Sequence, residues 1–254
     1  MRKTRDVEAV LAEERRAGRW AAGAGLGSLL AAILSVLLAN AASAGSGLSK
    51  GPAGADGRDA DRLRGLLDVD AHTVLLGAST LLRCVGLLLM IGLGLYLIRL
   101  VRTRDARAIP SWVVPLTWAA PILLSVVLVV GLVASIDVAD ALTSSGPRTA
   151  ERAARLVDDS TGVTIAQAGD LVLRIPVAIW IGVVAVAAMR VGLLTRFLGY
   201  WGVAAGVCLV LLAGGGDALL VGWVGSVGLL ALGWWPGGRP AAWEHTTPQP
   251  IEAI

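Results

Sequence analysis

Runs of apolar residues, each close to the length of a bilayer crossing and separated by clusters of charge, organise this chain of 254 residues. A transmembrane helix needs about 20 consecutive, mostly apolar residues, and six windows meet or approach that length: 20–42, 74–98, 112–136, 171–189, 197–213 and 218–235. The runs lack the strict alternation of barrel strands, and a lipid-exposed backbone must satisfy its hydrogen bonds within its own segment or a closed barrel. The pattern therefore predicts an all-α, polytopic membrane helix bundle with six transmembrane helices. Only Gly214, Gly215, Gly216 and Asp217 separate the two shortest windows, and a re-entrant hairpin is the alternative there. The transmembrane domain is expected over 20–235, between a charged leader, 1–19, and a polar tail, 236–254.

Two polar intervals are too long to be turns. The first, 43–72, opens with Gly/Ser-rich linker residues and continues through Asp59, Asp61, Arg62, Leu63, Arg64, Leu66 and Leu67, the pattern of a short surface helix. The second, 137–169, carries Ala150, Ala153, Ala154 and Val157 at helical spacing, opposite Glu151, Arg152 and Arg155. Either stripe suits a helix lying at the membrane surface or a solvated helix covering the bundle. Offsetting the chain by 91 residues aligns Arg64 with Arg155, Asp68 with Asp159, Thr73 with Thr164, Arg83 with Arg174 and Arg99 with Arg190. That alignment suggests a parallel internal repeat of outer helix, inward span, basic inner loop and outward span.

Charge sets the expected orientation. With both termini cytoplasmic, the inner segments hold thirteen basic and seven acidic residues, the outer ones seven basic and twelve acidic. The excess of Arg and Lys inside favours N-in, C-in. Trp20, Trp112, Trp234 and Trp235 stand near span ends, where indole rings prefer the interface. Arg outnumbers Lys twenty to two in an Ala, Gly, Val and Leu background, the habit of a GC-rich bacterial genome, so a bacterial plasma membrane is the expected location. Ala42, Ser43 and Ala44 have the small side chains of a signal cleavage site. The leader before them is long and mixed in sign, however, and the apolar run is bilayer-long, so it is read as a retained span.

The composition excludes more chemistry than it offers. Cys84 and Cys208 lie in apolar spans and form no CxxC pair. His72 and His245 lie outside the span cores, so a bis-histidine haem, an HExxH metal site and a Ser-His protease lack their parts. No nucleotide loop follows a strand, no metal or cofactor is implied, and the dispersed basic residues do not form a nucleic-acid patch.

Two arginines remain. Arg83 and Arg174 each lie sixteen residues before the arginine that closes their stretch, which at about 1.5 Å per residue places them roughly 24 Å above it, in the outer half of the core. Such a guanidinium is by default a functional-site hypothesis. Snorkelling to the outer headgroups, or pairing within the bundle, is the structural alternative, and Asp170, four residues before Arg174, is its natural partner. If the repeat packs side by side, Arg83, Arg174 and Asp170 form an outward-facing ligand site, with His72, Asp137 and Asp217 near its rim. Its chemistry suits an anionic small molecule or a membrane lipid head group. A non-catalytic subunit that engages a partner membrane protein, through its outer loops or the leader face Val7, Val10 and Leu11, is the other function expected.

Pro115, Pro121 and Pro176 free backbone carbonyls and are expected to kink their helices. Gly23 with Gly27, and Gly202 with Gly206, form GxxxG pairs suited to close helix approach. Residues 189–206 resemble a run in an uncharacterised family of bacterial integral membrane proteins, in which a Gly-Leu-Leu-x-Arg-x-Leu-Gly turn joins two late spans; here it reads Gly192 to Gly199. The resemblance implies a six-span architecture and no activity.

Overall fold

The computed structural model describes residues 2–44, 55–144, 146–212 and 215–249. The Gly/Ser-rich opening of the first outer interval and Gly214 lie outside the described residues. Seven α-helices are present among those described: α1 (Arg2–Ala44), α2 (Ala55–Arg104), α3 (Val113–Ser144), α4 (Ala150–Asp159), α5 (Thr161–Arg190), α6 (Arg196–Leu211) and α7 (Gly215–Leu232), followed by a 3-10 turn at Ala241–Trp243. The all-α class is as the periodicity predicts. Four helices are long and apolar enough to cross a membrane, over Val7–Ser43, Asp59–Arg104, Val113–Ser144 and Thr161–Arg190, which is compatible with a multi-pass membrane protein. At about 1.5 Å per residue, α6 and α7 reach about 24 and 27 Å, slightly less than a hydrocarbon core of about 30 Å.

The helices outrun the apolar windows that announce them. The charged leader is not a separate element, because α1 runs from Arg2 into the first apolar run without a break. Most of the second outer interval is helical too: α3 continues to Ser144 and α5 begins at Thr161, with α4 between. Val138, Ala139 and Leu142 explain the overrun of α3, since they continue its apolar face into a buried cluster.

Contacts divide the chain into two compact units. The first comprises Met1–Leu30, Val85–Ile122 and Leu173–Ile254, and the second Ala31–Cys84 and Leu123–Val172. In the first, Leu93, Leu97, Leu100, Ile181, Val184, Leu193, Leu194, Leu198, Trp223 and Leu230 are buried. Small residues let its helices approach. A Cβ on Gly25 would lie 3.1 Å from the Val224 carbonyl oxygen and 3.2 Å from the Gly228 Cα, so α1 and α7 meet almost backbone to backbone. A Cβ on Gly23 would meet nothing within 4 Å; one on Gly27 would touch only Leu89. Gly25 therefore marks the crossing, not the GxxxG pair that brackets it. Gly202 and Gly206 do lie at a close contact, with Ala185 and Ala178 of α5.

The turn between α5 and α6 is closed by Gly192, whose φ of 79° suits glycine. Leu193 N–H donates to the Ala188 carbonyl at 2.8 Å and Gly192 N–H to that of Met189 at 3.0 Å, the paired bonds of a Schellman ending. Thr195 then caps α6, its side chain accepting from Leu198 N–H at 3.3 Å.

In the second unit, Leu66, Val138, Ala139, Leu142 and Ala153 form a core flanked by Leu63, Val69, Leu156 and Val157. Both stripes read from the outer intervals thus cover this unit. The first belongs to the start of α2, up to a non-helical residue at His72 (φ −131°, ψ 31°); the second is α4. Arg62 ties them together, its guanidinium 3.2 Å from Asp158. Each stretch of the 91-residue alignment contains an amphipathic helix, a break and a long helix. The breaks, at His72 and Ser160, are 88 residues apart, and α3 is twice as long as α6.

Candidate functional site

The residues expected to form an outer site fall in both units. Arg83 is on α2 and Asp170 on α5, both in the second unit, the first exposed and the second half-buried. Arg174, one turn further along α5, belongs to the first unit and is half-buried. Within that unit its Nη2 donates to Asp217 Oδ2 at 3.5 Å. The sequence reading set Asp217 only at the rim of the expected site. The structure puts it in the first turn of α7, where the exposed N–H groups and the helix dipole also favour a carboxylate.

Among the described residues, the most completely enclosed charges lie elsewhere, where the leader meets the end of α2. Arg104 has no exposed side-chain surface, and Glu14 is nearly as buried. Its Nη2 approaches Glu14 Oε2 at 3.1 Å and its Nη1 approaches Oε1 at 3.3 Å, a forked pairing that a planar guanidinium makes and an ammonium cannot. Its other bonds go to carbonyls: Nε to Ala242 and Nη1 to Leu100, both at 2.9 Å. Tyr96 sits two turns before Arg104 on the helix and donates from its hydroxyl to the Glu14 carbonyl at 3.1 Å. One turn after Glu14, the bare backbone of Gly18 leaves room for that hydroxyl, which a Cβ would meet at 2.6 Å.

The polar tail completes this cluster. Gly233, at φ 82°, ends α7, and the chain returns through Pro240 to Trp243. The Trp243 indole N–H donates to the Leu193 carbonyl at 2.8 Å, its rings lie 6.3 Å from those of Tyr96, and the Arg239 guanidinium lies 5.5 Å over it. Gln249 N–H reaches the Val191 carbonyl at 3.3 Å. The leader, the end of α2, the α5–α6 turn and the tail are thereby joined through one buried polar knot. A second polar contact is sunk among the helices, where Trp180 Nε1 donates to Thr117 Oγ1 at 2.8 Å and Thr117 donates on to the Val113 carbonyl at 2.7 Å. In the second unit, the Ser79 hydroxyl donates to the Ser35 carbonyl at 2.9 Å.

These groups hold and orient one another. Among the described residues no three His, Cys, Asp or Glu side chains are placed to hold a metal ion. The knot escaped the sequence reading because Glu14 and Arg104 lie in charged segments that count as solvated by composition. The legible signal was Trp243, a large aromatic in an otherwise polar, Pro/Gly-rich tail. Comparison of the chain with protein-family models, curated proteins and solved structures finds no match to any.

Proposed function

We propose that the protein is a non-catalytic subunit of a bacterial plasma membrane assembly, a six-crossing scaffold with both termini cytoplasmic that holds a partner membrane protein. The observation that carries this reading is the satisfaction of its enclosed charges by partners within the chain. Arg174 meets Asp217 and Arg104 meets Glu14, contacts that tie α5 to α7 and α2 to α1. Large apolar side chains stay exposed along the candidate spans, among them Leu30, Ile33, Leu34 and Leu37 on α1, Val126, Val129 and Val133 on α3, and Val172, Ile175 and Ile179 on α5. These suit lipid and the helices of a neighbour. The excess of Arg and Lys in 1–19, 99–110 and 190–196 supports cytoplasmic termini, and α6 and α7, at about 24 and 27 Å, are counted as crossings on their length.

The competing reading, an outward-facing anion or lipid site at Arg83, Arg174 and Asp170, makes a different prediction for Arg174. In the scaffold, Arg174→Gln and Asp217→Asn each lower the melting temperature of the purified protein, and the double substitution costs less than the two singles added. For a ligand site, Arg174→Gln leaves stability unchanged and removes anion binding. Additive or negligible effects on melting would reject the scaffold role of the pair. Reporter fusions after α6 and after Ile254 test the crossings, the first expected outside and the second inside.

A further inference from the structure

We infer that a cleft between the end of α2 and the start of α3 binds the head group of an anionic phospholipid. Leu95, Ile98, Arg99, Arg102 and Thr103 fall at i, i+3, i+4, i+7 and i+8 of α2, forming one continuous stripe, and Val114 of α3 closes the far side. The cleft is open and has a volume of about 440 Å³. Its chemistry is graded along its length. Leu95, Ile98 and Val114 make an apolar floor on the side of the bilayer-length stretches, while two guanidiniums and the Thr103 side chain stand at the polar end.

An occupant must match both ends. A free anion would satisfy the arginines and leave the floor wet, and a neutral lipid would cover the floor without offsetting the positive charge of the guanidiniums. A phosphodiester joined to acyl chains does both, and a planar guanidinium suits its oxygens. The arginines have capacity to spare. Arg99 stays more than half exposed, and its Nη2 bond of 2.7 Å to Glu13 both orients the fork and neutralises part of its charge. The bond of Arg102, to the Pro110 carbonyl, is 3.4 Å long. Trp112, about half exposed just before α3, is the kind of ring that settles at headgroup level. The choice of inner leaflet rests on the orientation proposed above; the head-group contact does not.

The test uses the full-length protein in detergent, titrated with phosphatidylglycerol or with phosphatidylcholine of the same chains and read by native mass spectrometry. Phosphatidylglycerol is expected to bind at least about tenfold more tightly, as two juxtaposed basic residues would give. Arg99→Gln/Arg102→Gln abolishes that preference, whereas Arg190→Gln, at the exposed end of α5, keeps it. Leu95→Trp fills the floor while both arginines and Glu13 stay in the sequence, and it lowers binding of the anionic lipid on its own. Equal binding of the two lipids, or a preference that survives both the double substitution and Leu95→Trp, would overturn the inference. Inversion of both reporter fusions would move the site to the other leaflet without removing it.

Discussion

Arg104 and Glu14, ninety positions apart in sequence, face each other through a two-point guanidinium–carboxylate contact at 3.1 and 3.3 Å, closed off from solvent. Taking two charges out of water is expensive, and breaking a buried pair from one side leaves the other uncompensated, at a cost of about 3–5 kcal/mol. Arg104→Met or Glu14→Leu alone is therefore expected to destabilise the protein by about that much in a chemical-denaturation series. The double substitution should recover most of the loss. A double variant as damaged as the sum of the singles would show that the two residues act separately.

Gly25 gives a sharper contrast because a control lies two residues away. Gly25→Val drives a side chain into the Val224 carbonyl and the Gly228 Cα, and overpacking of this kind costs about 1–3 kcal/mol. Gly23→Val points into open space and should leave the melting temperature within a degree or two of wild type (roughly 0.5 kcal/mol or less). Equal effects at both positions would mean that α1 and α7 do not cross where the structure has them.

Gly94 and Trp180 are coupled by shape. A Cβ at Gly94 would lie 2.4 Å from Trp180 Cζ2 and 3.2 Å from Cη2, atoms of the ring that phenylalanine lacks. Gly94→Ala is expected to destabilise by about 1–3 kcal/mol, and Trp180→Phe by a similar amount through the lost Thr117 hydrogen bond and the void. Combined, they should cost about 1 kcal/mol or more less than their sum, a coupling that a double-mutant cycle on thermal unfolding would read. Strict additivity would count against the contact.

Trp243→Ala tests whether the tail belongs to the folded core. The substitution removes a buried ring and its bond to the Leu193 carbonyl, and losses of this type run to about 3–5 kcal/mol. Limited proteolysis should then cut between Trp235 and Gln249 at protease levels that leave the wild type intact. A variant that resists cleavage as well as its parent would place Trp243 outside the cooperative unit.

The helices were legible because apolar length is a strong signal, and α4 was legible because Ala150, Ala153, Ala154 and Val157 share one face. The overruns were not, since Val138 and Leu142 are spaced among Asp137 and Asp140 and read as loop until Leu66 and Ala153 are brought against them. A GxxxG pattern names Gly23 and Gly27 on local spacing alone, whereas the partner helix selects Gly25. For the expected outer site, sequence supplied Arg174 but not Asp217 as its partner, because the forty-three positions between them carry no trace of the proximity that the α6–α7 hairpin creates.

The tail's role has a consequence for biosynthesis. Arg104 accepts its cover from Ala242, 138 residues later, so the nascent chain inserts its first helices while this cation still lacks the carbonyl that will enclose it. The knot can tighten only after the ribosome has delivered Ala242 and Trp243. Termination between the end of α7 and Ala242 would accordingly leave inserted helices with an unsealed ion pair, a product open to quality-control proteases.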